Sequence, residues 1–140
     1  MTRCRWLMIP VVIFGIVLYA LSVYSEEDFL KKGSEGRIAF LSGGVGQSER
    51  EILKEIGKAY PLKLIFSNKK GEYLSDVVVR LFDRQGKEIL TTVSNGPWFF
   101  IDLPSGTYHL EASFKTEKKR IPDFQIKRGT QKFFSIQWEE

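Results

Sequence analysis

The chain has 140 residues, 43% hydrophobic, 14% aromatic and 27% charged, which suits one ordinary globular domain plus a short additional segment. Its formal charge is +4, but two of the 21 Lys and Arg residues, Arg3 and Arg5, precede residue 25 and no Asp or Glu does, so the remainder carries only +2. That charge is too thinly spread for a nucleic-acid footprint, and a single histidine and a single cysteine exclude most histidine-, thiol- and zinc-based catalytic sets.

From Trp6 to Val23 the residues are apolar or small, with Pro10 and Gly15 as breakers and Ser22 as the strongly polar exception. These 18 residues are at the short end of the ~17–25 that span a bilayer and longer than the ~7–15 of a signal-peptide core. Residues 1–25 therefore read as a transmembrane anchor or a signal peptide. Ala20 and Ser22, or Val23 and Ser25, offer cleavage sites. Arg3 and Arg5 before the run and Glu26, Glu27 and Asp28 after it place the N-terminus inside and the domain outside. Cys4 precedes the run, so it has no disulfide partner in the chain and is misplaced for a lipoprotein cysteine.

Residues 26–38, charged and glycine-punctuated, read as a tether, or as a helical extension of the anchor as far as Lys32. The domain occupies 39–140. Ala39-Phe40-Leu41 leads into Ser42-Gly43-Gly44-Val45-Gly46, and a helix signal follows, with Ser48 as N-cap and Glu51 at the capping-box spacing. Over Glu49 to Tyr60, Ile52, Leu53, Ile56, Ala59 and Tyr60 form one stripe, and Pro61 ends the helix.

After Pro61 the apolar period falls from 3.6 to 2. Strands are expected near Leu62–Ser67, Val77–Asp83, Glu88–Val93, Trp98–Asp102, Thr107–Lys115, Arg120–Ile126 and Gln131–Trp138, with Gly- and Pro-bearing turns between many of them. The fold class is mainly β: a seven-stranded immunoglobulin-like or transthyretin-like sandwich with one N-terminal amphipathic helix, preceded by a signal-anchor helix. Val77–Phe82 and Trp98–Ile101 are apolar on both faces and need cover on both sides, so the helix is expected to pack on the outside of one sheet. Gly106 is expected to need a positive φ in the Pro104-Ser105-Gly106 turn.

The run Asn95-Gly-Pro-Trp-Phe-Phe-Ile-Asp-Leu-Pro-Ser-Gly-Thr-Tyr108, preceded by Asp76-Val-Val-Val-Arg-Leu-Phe-Asp-Arg-Gln-Gly-Lys-Glu88, resembles the carboxypeptidase regulatory-like domain over about Lys63 to Phe114. The resemblance implies a transthyretin-like (prealbumin-like) sandwich. The Gly43–Arg50 segment is similar to the lead-in of small exported proteins of Gram-negative bacteria that carry this domain, a group for which the resemblance implies no established activity. Transthyretin-like hydrolases of ureide chemistry use several histidines and a characteristic C-terminal tetrapeptide, and this chain, ending Ile136-Gln-Trp-Glu-Glu140, departs from that pattern.

No cofactor, metal or catalytic set is expected, and His109 reads as an ordinary surface histidine. Gly43, Gly44 and Gly46 before the helix serve a tight chain reversal or, through their amides, an anion or partner contact. Trp98, Phe99 and Trp138, with Phe100, Phe133 and Phe134, are candidates for a carbohydrate or peptide platform, about two-thirds of these rings being expected in the core or under the helix. Lys118, Lys119 and Arg120, with Lys115, cluster near one hairpin turn and are candidates for contact with anionic lipid or envelope polymer. The sequence thus reads as a non-catalytic binding or structural module of the envelope, facing the periplasm and held at the inner membrane by residues 6–23, or free in the periplasm if the segment is cleaved. The alternative is an accessory subunit of an inner-membrane complex, and a remote one, implied by the resemblance, a transthyretin-like hydrolase.

Overall fold

Alternating apolar residues after Pro61 settle into seven strands, and the chain before the helix adds two more. The computed structural model describes residues 31–35 and 38–139, so the apolar run 6–23 and residues 26–30 of the tether lie outside the described residues. In chain order the elements are β1 Lys31–Glu35, β2 Ile38–Gly43, α1 Gln47–Ile56 with a 3-10 turn over Gly57–Ala59, and β3 Leu62–Asn68. There follow β4 Val78–Asp83, β5 Glu88–Val93, β6 Trp98–Asp102, β7 Gly106–Phe114, β8 Glu117–Ile126 and β9 Lys132–Trp138. They form a sandwich of a five-stranded sheet, β1-β2-β6-β3-β9, and a four-stranded sheet, β5-β4-β7-β8. The pairing is antiparallel throughout except for β3 with β9, which run parallel over seven residue pairs from Leu62–Lys132 to Asn68–Trp138.

Strand alternation sends Leu62, Leu64 and Phe66 of β3, Val79 and Leu81 of β4, Phe99 and Ile101 of β6, Leu110 of β7 and Ile136 and Trp138 of β9 into the space between the sheets. Tyr108 lies there too, with its phenol donating to the Pro104 carbonyl at 2.8 Å, which closes the β6–β7 turn. Trp138 spans both sheets, its ring against Phe66 and Phe114 and its indole N–H donating to the Glu117 carbonyl at 3.0 Å.

The outer face of β6 carries Trp98 and Phe100, and α1 covers them. Leu53 of the helix, wholly buried, forms a second core with Leu41, Trp98 and Phe100, flanked by Ile52, Tyr60 and Ile65. The helix therefore packs outside one sheet, as the apolar pattern of β6 demands. The other two-faced strand is handled differently: on the outer side of β4, Val78 and Phe82 stay half-exposed with no helix over them.

Four features differ from the sequence reading. Lys31–Glu35, in the presumed tether, is a strand paired with β2, and β2 itself runs to Gly43. The helix starts two residues early with Gly46 as N-cap and no side-chain cap, so Ser48 and Glu51 make no capping box. Ile56, placed in the buried stripe, is 38% exposed because α1 ends there and the chain tightens into the 3-10 turn. Gly106 is not among the positive-φ residues, and a Cβ there would make only ordinary contacts with the Tyr108 ring, so the turn does not require glycine at that position. Gly57, by contrast, is obligatory: a Cβ would lie 2.4 Å from Phe100 Cε1, which lets the 3-10 turn sit directly on that ring.

Leu53→Ala should destabilise the domain by about 2–5 kcal/mol, and Gly57→Val should cost about 1–3 kcal/mol through forced displacement of the Phe100 ring. Ile56→Ala should cost far less than Leu53→Ala. Thermal melts of the three variants check the ordering, and faster amide exchange over 47–59 in Leu53→Ala checks that the lid is what loosens.

Candidate functional site

Three groups of residues bear on function, and the structure sorts them differently. The Gly43–Gly46 turn is closed by its own helix. Gly43 and Gly44 are buried and Gly46 is exposed, and Gly44 takes φ +93°, a left-handed conformation that glycine adopts freely, with the Trp98 side chain 3.2 Å from where a Cβ would stand. The amides of Gly44 and Val45 donate to one carboxylate oxygen of Glu49 at 2.7 and 3.1 Å. The Arg50 guanidinium donates to the carbonyls of Gly44 and Val45 at 2.9 and 3.2 Å and lies 5.3 Å from the Tyr73 ring centre. An anion arriving at these amides would have to displace a carboxylate that the chain supplies itself. The turn is a clasp fixing the entry of α1 onto β6.

The aromatic group divides between core and surface. Phe99 and Trp138 are fully buried between the sheets, and Trp98 and Phe100 lie under the helix, so these rings form no surface platform. Phe134 is half-buried and Phe133, at 52% exposure, is the ring open to solvent. On the part of the five-stranded sheet that the helix leaves uncovered, Lys63 of β3 rests its ammonium over aromatic faces, 4.2 Å from the Trp98 ring centre, 5.7 Å from Phe100 and 5.8 Å from Phe133. Burial there, with Lys54 nearby, lowers the Lys63 pKa. The Trp98 indole N–H is buried without an acceptor among the described residues.

The basic cluster lies in the β7–β8 hairpin, Lys115 in its turn and the other three on the strand that follows. The β7–β8 connection is only Lys115-Thr116, with Lys115 at φ 52°, so Lys118, Lys119 and Arg120 fall within β8. The register sets Arg80, Glu111 and Arg120 side by side across β4, β7 and β8. Glu111, with a side chain 7% exposed, binds Arg120 at 2.7 Å, Arg80 at 3.3 Å and Lys118 at 3.4 Å, while Arg80 also pairs with Glu88 and Lys119 with Glu117. Arg80, Lys118 and Arg120 are thus partly neutralised by a mesh over the outer face of the four-stranded sheet, while the Lys119–Glu117 pair lies on the opposite side of β8, at the rim of the core. Sequence reasoning missed Glu111 as its hub. The signal was present in its place on the polar side of β7, but which cations it meets depends on the register of three strands.

His109 stacks on Phe82, ring centres 4.6 Å apart and planes 6° from parallel, with Nδ1 4.0 Å from an Asp123 carboxylate oxygen. Together with Arg120 and Pro122, His109 and Asp123 line a shallow recess. Among the described residues no group of three or more His, Cys, Asp or Glu is disposed to hold a metal ion, and no helix is long and apolar enough to cross a membrane.

No protein-family model matches the chain, and no curated protein matches it. Among solved structures it is similar to BcpA, the major pilin subunit of Bacillus cereus, at 19% identity over 54% of this chain and 27% of that one, with a TM-score of 0.43. It is also similar to the Bacillus anthracis TIE protein, at 18% identity over 56% of this chain and 16% of that one, with a TM-score of 0.42. The chain spans about a quarter of the first protein and a sixth of the second. The resemblance to the carboxypeptidase regulatory-like domain is accordingly not matched by a family model, and neither structural likeness bears on what the chain does.

The Arg120 hydrogen bond, aided by Lys118, holds the Glu111 carboxyl below its usual range against the opposing effect of burial. Because folding lowers this pKa, the carboxylate adds stability above the ordinary glutamate value of about 4.3, and that gain is lost as pH falls through the lowered folded value. Glu111→Gln should therefore lower the melting temperature at pH 7 and flatten its decline below pH 4.5. Melts of both proteins from pH 7 to pH 3 check it, and an undiminished acid decline in the variant would show that Glu111 is not the group responsible.

Proposed function

We infer that the chain is a non-catalytic module of the cell envelope, held at a membrane by residues 6–23, with the sandwich on the outer side of that membrane and working by contact with envelope protein or polymer. The carboxypeptidase regulatory-like resemblance belongs to this reading as a statement of fold. What supports it most is the use made of the side chains that chemistry would need. Glu111 is taken up by three cations, Glu49 by two backbone amides and His109 by the Phe82 ring, each in a contact that holds the sheets or the lid together.

The early start of the sheet sharpens the anchoring part. Seven residues, 24–30, separate the apolar run from β1. At about 3.6 Å per residue the sandwich would stand no more than about 25 Å from the membrane. A retained anchor therefore confines its contacts to partners at or near the bilayer surface, whereas cleavage would release a freely diffusing domain.

The test is a crosslinking pull-down of the tagged full-length protein from native membranes, with intact mass recorded on the same sample. A mass that includes residues 1–25, with an envelope protein or polymer captured, is the expected result. Capture of one defined set of inner-membrane subunits would favour the accessory-subunit reading. A mass beginning near Val23 or Glu26, with the protein in the soluble fraction, would overturn the anchored reading.

A further inference from the structure

The register of the five-stranded sheet sets Leu41, Phe100, Lys63 and Phe133 side by side across β2, β6, β3 and β9 on its outer face. The helix buries the first two and stops short of the others. What remains is a strip two strands wide, bearing Lys63 and Ile65 of β3, both half-buried, and Phe133 and Ser135 of β9, both open to solvent. Tyr73, nearly as exposed as Phe133, closes one end through its bridge to Ser67. A recess lined by Lys58, Tyr60, Arg128 and Gln131 lies at the other.

The helix wall of this strip is basic. Arg50, Lys54 and Lys58 recur every four residues along α1 and the 3-10 turn, which puts them on one flank. That flank faces the strip: Arg50 lies against the Tyr73 ring, the Lys54 charge acts on Lys63, and Lys58 lines the recess. Of these cations Lys58 alone has a carboxylate partner among the described residues, Glu55 at 3.0 Å. Arg50 donates to backbone carbonyls, and Lys63 is laid over rings, its charge opposed both by burial and by Lys54. On the four-stranded sheet, by contrast, Arg80, Lys118, Lys119 and Arg120 each meet a glutamate of the chain. The counter-charge that the chain supplies there is missing along the strip.

We propose that the strip between α1 and β9 is a docking surface for an extended acidic segment of a partner protein, with carboxylates at alternate positions and apolar side chains between them. The spacing fits that partner. Cations four residues apart on a helix lie about 6 Å apart along its axis, and an extended chain returns to the same side every two residues, about 6.7 Å on. Alternate acids thus meet Arg50, Lys54 and Lys63 in turn, while the residues between them turn towards Ile65 and the exposed Phe133 and Tyr73. A flat anionic surface suits the strip less well, because Lys63 lies half-buried at its floor beside the helix and only a narrow chain reaches it. The chain's own acidic run, Glu26-Glu27-Asp28, adjoins β1, three strands away with α1 standing between, so the carboxylates belong to a partner. This partner is one form of the envelope contact inferred above and rests on that reading for its presence in the cell, but the surface and its chemistry are tested without it.

The test titrates the full-length chain, purified in detergent, with the peptide acetyl-Glu-Val-Glu-Val-Glu-amide and follows backbone amide chemical shifts. Saturable shifts confined to α1, β3 and the start of β9 are expected, and the block-ordered peptide acetyl-Glu-Glu-Glu-Val-Val-amide, of the same composition, should bind more weakly. Lys54→Gln, and Lys63→Met, which keeps an apolar stem over the rings, should each weaken binding about 2–5-fold. Lys87→Gln, on the four-stranded sheet, should leave it unchanged. Lys54 is exposed on the helix, so its variant carries the test should Lys63→Met lose its fold. No saturable shift along the strip, equal binding of the two peptides, or binding undiminished by Lys54→Gln would overturn the proposal. Tighter binding of glycerol phosphate than of either peptide would overturn it in favour of a lipid headgroup. A pull-down from membranes that captures nothing would count against the envelope reading and leave the outcome of this titration as it stands.

Discussion

The structure depends on one strand having two apolar faces. β6 puts Phe99 and Ile101 into the sandwich and Trp98 and Phe100 on its back, and a strand so built cannot lie at the surface of a two-layer fold without a third layer. The helix α1 is that layer, and much of what surrounds it serves to seat it. β2 pairs with β6 and brings Leu41 into the same cluster, Gly57 removes a side chain where the helix end meets Phe100, and the amide of Gln131 donates to the carbonyls of Gly57 and Tyr60 at 2.8 and 2.9 Å, tying the start of β9 to the lid's end. The clasp of Glu49 and Arg50 on the Gly44-Val45 turn fixes the other end.

Local pattern reveals the parts of this arrangement that local pattern determines. The period-2 alternation after Pro61 locates all seven later strands to within a few residues, and the doubled apolar pattern of Trp98–Ile101 foretells a lid. The losses occur where a partner decides. Lys31–Glu35, Lys-Lys-Gly-Ser-Glu, has no strand-favouring residue and is a strand because the β2 backbone lies beside it. The capping-box spacing at Ser48 and Glu51 is correct chemistry set aside by a neighbour: the turn before the helix bends back onto Trp98, and Glu49, one turn in, caps that turn instead. For the candidate contacts the same division holds. The basic residues were visible as a cluster, but that Glu111 gathers them is a property of register, and that Trp98, Phe99 and Trp138 are interior follows only once the lid and the sheet-to-sheet spacing are in place.

The two outer faces show two solutions to the same exposure problem. The five-stranded sheet covers aromatic surface with a helix and, past the helix, with the stem and ammonium of Lys63 laid across Trp98, Phe100 and Phe133. The four-stranded sheet has few large apolar groups outside and is covered by ion pairs centred on Glu111. Screening weakens exposed ion pairs far more than burial of rings. Salt should therefore act mainly on the four-stranded face, leaving the lid intact.

With much of both faces covered by the chain's own groups, the rims are the other surface that the described residues present. There the strands are unequal: β5 and β8 carry a bulge and β8 a proline, while β9, after its first residue Lys132, carries no charge, glycine, proline or bulge. A flat edge of six uncharged residues is a hazard in a protein that stays monomeric. The inward side of β9, carrying Phe134, Ile136 and Trp138, locks the strand to the core through Phe66, Phe114 and Phe124, so this edge is set by the same ring packing that joins the two sheets.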